Sequence, residues 1–174
     1  MSCRCSGCTA VEQHLGSMRK ADVHSLSLEN SLFAQELSRL LQQDKQRSVT
    51  FTVRGYSMRP FIENERDKVV IEAPRAPEVG QVVFAEVTHG AYVLHRIIAI
   101  DGSKITLQGD GNSLKTTEIT SEDKIIGTAK AFIRKGRYVS VESPQWRRYS
   151  AFWAATRALR ALLLAIYRIK KHIL

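Results

Sequence analysis

A chain of 174 residues with a hydrophobic fraction of 44% is ordinary for a soluble protein and long enough for one compact domain with tails. Its formal net charge of +9 is not spread evenly: residues 134–174 hold ten Lys or Arg against the single acid Glu142, so the other 133 residues carry sixteen charges of each sign. That distribution excludes a uniformly basic domain and assigns the basicity to a C-terminal appendage.

Residues 1–24 read as a disordered leader. All three cysteines, Cys3, Cys5 and Cys8, lie there in a CxCxxC arrangement that offers three sulfurs to a soft metal, but a fourth ligand is missing unless His14 reaches back, and no metal site is expected. An odd thiol count with no cysteine in the body points to a reducing compartment. The leader has no apolar stretch of the kind a secretory signal needs. Residues 25–47 follow as an amphipathic helix, with Leu28, Leu32, Phe33, Leu37, Leu40 and Leu41 at three- and four-residue intervals and Ser25 or Ser27 as N-cap. One helix of this size does not make a helix-turn-helix module, so the leader is not a DNA-reading head.

From Ser48 the period becomes that of strands: VTFTV (49–53), KVVIEA (68–73), QVVFAEV (81–87), AYVLHRIIAI (91–100), KITLQ (104–108) and IIGTAKAFI (125–133). Pro74, Pro77, Gly80, His89-Gly90 and Asp101-Gly102 punctuate them. Short strands with tight connections predict a mainly β fold, an antiparallel, partly closed barrel over residues 48–140.

Residues 141–174 return to helical period. Phe152, Ala155, Leu159, Leu162, Ile166, Ile169 and Ile173 form one stripe, with Arg157, Arg160, Arg168 and Lys171 on the other face. The uncharged run between Arg160 and Arg168 has seven residues, whereas a membrane-spanning helix needs about twenty. Three readings stand for this basic amphipathic helix: it lies on an anionic membrane surface, with Trp146, Tyr149, Trp153 and Tyr167 at the interface; it packs its stripe on the barrel, on the first helix or on a second copy; or it binds nucleic acid, the least favoured.

Gly55-Tyr56-Ser57-Met58-Arg59-Pro60 comes directly after a strand. Together with GQVVFAEV, YVLHRIIAI, ITLQGDGN and IIGTA in that order, it resembles the S24/S26 superfamily of signal peptidases and repressor autoproteases over about residues 49–130. In that superfamily the nucleophile lies in a Ser-Met element after a strand, and the general base is usually a lysine on a later strand, just before an Arg. The resemblance implies Ser57 as nucleophile and puts His95, followed by Arg96, at the base position thirty-eight residues on. Signal peptidases of the endoplasmic reticulum and of archaea are similar in having histidine there, and an imidazole with a reference pKa near 6.5 is a competent base at neutral pH.

The family's GD element, here Gly109-Asp110-Gly111-Asn112, implies Asp110 as the group that orients the imidazole. Histidine-type members also use an Asp a few residues later, where this chain has Lys115 and Thr116, so either Asp110 completes a triad or the pair works as a dyad. Gly55 replaces the serine that many signal peptidases carry two residues before the nucleophile. Oxyanion stabilisation then falls to backbone N–H groups of the Gly55-Ser57-Met58 loop, chiefly that of Ser57. Arg96 reads as structural, pairing a carboxylate.

The expected function is a serine endopeptidase acting on peptide or protein substrates near a membrane surface, without cofactor or metal. The alternatives are a non-catalytic binding or maturation-partner module on the same barrel and a regulator that cleaves itself. The expected location is peripheral to a membrane or cytoplasmic, with no signal peptide and no transmembrane helix.

Overall fold

The computed structural model describes residues 23–156 except 45, 89 and 90, together with 159, 162–164, 166, 167 and 169, and of these the side chains from Ser31 onward apart from that of Thr88. The leader with Cys3, Cys5, Cys8 and His14, the His89-Gly90 turn, and the tail residues Arg157, Arg160, Arg168, Lys170, Lys171 and Ile173 lie outside the described residues.

Helix α1 spans Val23–Gln43. Its buried face is Ala34, Leu37 and Leu41; of the rest of the expected stripe Phe33 and Leu40 are half-buried and Leu32 stands 60% exposed. The three- and four-residue spacing from Ala34 explains this, because Leu32 lies two residues back and about 200° around the axis. Phe33 adds an edge contact to Phe51, at 5.0 Å between ring centroids, and so ties the helix to the first strand.

Eight strands follow: β1 (Ser48–Thr52), β2 (Lys68–Glu72), β3 (Val82–Thr88), β4 (Ala91–Asp101), β5 (Lys104–Gln108), β6 (Glu118–Thr120), β7 (Ile125–Arg134) and β8 (Arg137–Ser140). All pairs are antiparallel, in the order β1-β2-β7-β3-β4-β5-β6, with β8 added to β7, and the sheet curls into a half barrel. Six strands coincide with the runs read from the sequence. β6 and β8 do not: β6 has three residues and one apolar side chain, and β8 depends on a two-residue turn at Lys135-Gly136, both at positive φ (50° and 76°) as a type I′ hairpin requires.

One apolar cluster joins α1 to Val69, Ile71, Phe84 and Phe132; a second, of Val83, Ala85, Ile97, Ile105, Leu107 and Ile125, fills the other face of the sheet. The alternation of side chains along β3 and β7 supplies both.

Helix α2 spans Pro144–Ala155. Ser143 caps it by accepting the Trp146 N–H at 3.2 Å, and Pro144 occupies the first turn, where its missing N–H costs nothing. Trp146 and Trp153 are buried and Tyr149 packs against Phe61 at 4.6 Å between centroids, so these rings belong to the core and not to the lipid interface that the first of the three readings gave them. The other stripe faces outward: Phe152, Leu159, Leu162, Ile166 and Ile169 are all 47–60% exposed. Among the described residues the stripe therefore packs neither on the barrel nor on α1. Residues 146, 149 and 153 repeat the same three-four spacing one residue out of phase with 152, 155 and 159, which gives α2 two apolar faces, and the aromatic one docks. No described helix is long and apolar enough to cross a membrane.

Candidate active site

β1 ends at Thr52, and the chain then makes a closed excursion before β2. Val53 N–H donates to the Asp67 carbonyl at 2.9 Å and the Val53 carbonyl accepts from Glu65 at 2.8 Å, which pinches the loop at its base. The Asp67 carboxylate, fully buried, accepts from the backbone N–H of Glu63 at 2.9 Å and of Lys135 at 3.1 Å and from the Arg66 guanidinium at 2.8 and 2.6 Å. Burial opposes its charge, but these donors outweigh it and hold the carboxyl below its usual range. Met58 is driven into the core at 2% exposed and plugs the loop from inside, leaving Ser57 half-buried on the rim. Gly55, at φ 98°, provides the bend and donates to Asn64 Oδ1 at 2.7 Å.

The Gly109–Asn112 segment lies directly under that rim. Gly111 N–H donates to the Ser57 carbonyl at 2.6 Å. A Cβ on Gly109 would stand 2.5 Å from the Ser57 carbonyl oxygen and 2.9 Å from His95 Nε2, and one on Gly111 would stand 2.6 Å from the Tyr56 carbonyl oxygen. Both positions need glycine because backbone meets backbone, and His95 Nε2, Gly109 and the Ser57 carbonyl share one patch. No hydrogen bond among the described residues joins the Ser57 hydroxyl to His95 Nε2.

His95 is 3% exposed on β4, and its Nδ1 lies 2.9 Å from Glu118 Oε2 on β6. A carboxylate at Nδ1 fixes the tautomer with the proton on that nitrogen and the lone pair on Nε2, facing the Ser57 loop. Burial pushes the imidazole pKa below 6.5; the charge and hydrogen bond of Glu118, and the charge of Asp110, pull the other way without reversing it.

Asp110, expected at Nδ1, is committed elsewhere. Arg96 Nε donates to its Oδ1 at 2.9 Å and Arg96 Nη2 to its Oδ2 at 2.7 Å, the Tyr149 hydroxyl donates to Oδ2 at 2.9 Å, and Trp153 Nε1 donates to its carbonyl at 3.1 Å. The reason is the alternation of β4: successive residues project to opposite faces, so His95 meets Glu118 while Arg96 meets Asp110. Arg96 also donates to the Gly80 carbonyl and Ser150 Oγ, and its guanidinium lies 5.0 Å from the Trp146 ring centroid. Lys115 and Thr116, which stand where histidine-type members have an Asp, sit in the β5–β6 loop that Gln108 Nε2 closes through the carbonyls of Ser113 at 3.1 Å and Leu114 at 3.2 Å. The loop thereby delivers Glu118. The sequence offered a thin signal for it, an acid between Thr117 and Ile119 in a span too short to show a period.

A family model described as Peptidase S24-like matches residues 12–143. The chain belongs to the peptidase S24-like family. No curated protein matches it. The match covers α1 and every strand, so the half barrel, the Ser57 loop and the Gly109–Asn112 segment are parts of one S24-like domain, and α2, which begins at Pro144, lies beyond it. As an S24-like domain the chain is of the kind that includes serine peptidases and self-cleaving regulators.

If the imidazole acts as base in this S24-like domain, its protonation sets the acid limb of the rate. Only neutral His95 accepts a proton, and burial holds its pKa below 6.5, so kcat/KM should stay flat through neutrality and fall only as pH drops beneath that value. A pH-rate profile checks this; an acid limb with its midpoint above 7 would contradict it.

Proposed function

We propose that the chain is a serine endopeptidase in which Ser57 attacks a peptide carbonyl, His95 moves the proton and Glu118 orients the imidazole. The observation that supports this most is the buried His95, held at Nδ1 by a carboxylate with Nε2 turned toward the patch it shares with the Ser57 backbone. The Ser57 backbone and His95 Nε2 border the same patch around Gly109, and in the proposed reaction the Ser57 hydroxyl turns to Nε2. As the Oγ–C bond forms, the hydroxyl proton passes to Nε2, and the imidazolium is stabilised by Glu118. The same proton then passes to the leaving amine as the C–N bond breaks, giving an acyl-enzyme and a free amine end. Water repeats the sequence: its proton goes to Nε2, its oxygen to the acyl carbon, and the proton returns to Ser57 Oγ. The Ser57 N–H, which donates to no group among the described residues, is the donor for the oxyanion.

A serine-directed phosphonate probe tests the first step. The natural chain should gain one adduct on Ser57 by peptide mass mapping, and Ser57→Ala none; equal labelling of both, or of neither, sinks the endopeptidase reading. Intact-mass analysis of the same two samples after long incubation separates action on other proteins from self-cleavage, which would shorten the natural chain and not the variant.

The place of action is the second part of the proposal. The outward stripe of Phe152, Leu159, Leu162 and Ile166 is flanked in sequence by most of the excess positive charge of the chain. That combination suits a surface of anionic lipid, with the stripe in the acyl boundary. Replacing both Leu162 and Ile166 by Glu should abolish co-flotation with vesicles of phosphatidylcholine and phosphatidylserine while the melting temperature stays within about 2 °C, since exposed positions contribute little to stability. Flotation equal to that of the natural chain would remove the membrane from the proposal.

A further inference from the structure

Among the described residues the C-terminal segment bonds to the domain at two separate places, and both back the Ser57 loop. At the first, Tyr149 and Trp153 of α2 hold Asp110, whose neighbours Gly109 and Gly111 support the Ser57 carbonyl. At the second, farther along the tail, the Tyr167 hydroxyl donates to Glu63 Oε1. The other oxygen of that carboxylate, Oε2, accepts from Arg59 Nη2 at 2.9 Å. Arg59 in turn places its guanidinium 4.0 Å from the centroid of the Tyr56 ring, and its N–H donates to the Tyr56 carbonyl at 3.2 Å. Tyr56 and Arg59 bracket Ser57-Met58.

We propose that Tyr167 is a positioning residue: through Glu63 and Arg59 it lets the C-terminal segment hold the Ser57 loop in one conformation. The inference rests on the reading of Ser57 as nucleophile, and it names the device that regulates that same site.

Two features of the interface argue that the hydroxyl matters more than packing there. Between the tail and the loop lies an open pocket of about 380 Å³, bounded by Pro60, Phe61, Arg134, Gln145, Tyr149 and Tyr167, so at Tyr167 the tail meets the loop beside open space, although Leu164 earlier in the tail is buried. Glu63 itself is 5% exposed, which makes each of its hydrogen bonds a charge-assisted one in a partly dry setting. Adjacent Ile166 points outward at 47% exposed while Tyr167 turns inward. Whatever grips the outer stripe therefore acts one residue away from the tether.

Tyr167→Phe removes one oxygen and keeps the ring. In the full chain, amide hydrogen exchange at Arg59 and Ile62, whose N–H groups bond within the loop, should speed up by about tenfold, the usual weight of a hydrogen bond to a charged group. On a peptide substrate kcat should fall with KM unchanged, because a misplaced nucleophile slows chemistry without weakening binding. Glu63→Gln should reproduce the exchange effect, and the double variant should be no faster than Glu63→Gln alone if the tyrosine acts through that carboxylate. Exchange at Arg59 and Ile62 within twofold of the natural chain in Tyr167→Phe, or fully additive effects in the double variant, would overturn the inference. Exchange is read without turnover, so loss of the endopeptidase reading and loss of this one are separate results.

Discussion

His95→Gln is expected to lower kcat/KM by about 10⁴-fold, the scale on which removing one member of a nucleophile-base pair acts. The cause is specific. Glutamine fills similar space and its amide can still meet Glu118, but it has no basic nitrogen to take the Ser57 proton. Ser57→Ala should fall to the same residual level, and the double variant should be no worse than either, because the two act as a unit. Glu118→Gln should cost less: the imidazole keeps a partner at Nδ1 but loses the charge that stabilises its protonated form, and the acid limb of the profile should move further down in pH. Steady-state kinetics on one peptide substrate checks all four. Full activity in His95→Gln would remove the imidazole from the mechanism.

Asp110→Ala should have its main effect on folding. The Asp110 side chain is 1% exposed and bonded to Arg96, itself 8% exposed, so removing the carboxylate leaves a buried guanidinium without its counter-charge. Breaking one partner out of a buried pair costs about 3–5 kcal/mol. For a domain of this size that lowers the melting temperature by roughly 10 °C. The Tyr149 hydroxyl loses its bond to Oδ2 as well, which should loosen α2. Glu118→Gln should leave melting nearly unchanged, since the Glu118 side chain is 23% exposed and water can reach what the substitution leaves. The pair of melting curves thus assigns the two carboxylates to different duties. If Asp110→Ala melted like the natural chain while losing all activity, the assignment would be reversed.

Much of this was legible before any coordinates. The six longer strands announced themselves because each carries a continuous or alternating β-branched run, and the Ser57 and His95 positions stood out through their place in an ordered series of elements. Glu118 did not, because a three-residue strand has no period to read, and the only nearby acid in a recognisable element was Asp110. The decisive fact was which face of β4 each neighbour occupies, and that depends on pairing across β5 and β6, which sequence spacing does not encode. The tail shows a related limit. Its spacing defined the stripe from Phe152 to Ile169 well, but a helix with two apolar faces does not reveal which one will dock until the partner surface exists. Here that surface is built from Phe61, Phe132 and Arg96, on three separate elements.

The adjacency of an imidazole and a guanidinium on β4 carries one more consequence. If that strand slid by a single position against its neighbours, the two groups would trade sides: the permanent cation would face the Ser57 loop and the titratable group would sit sealed beneath Trp146. Such a slip would part the guanidinium from Asp110 and leave that buried carboxylate opposite an imidazole that is neutral at neutral pH, so the error is costly at the moment it is made. The Arg96–Asp110 ion pair thereby favours, during folding, the register in which the imidazole faces Glu118.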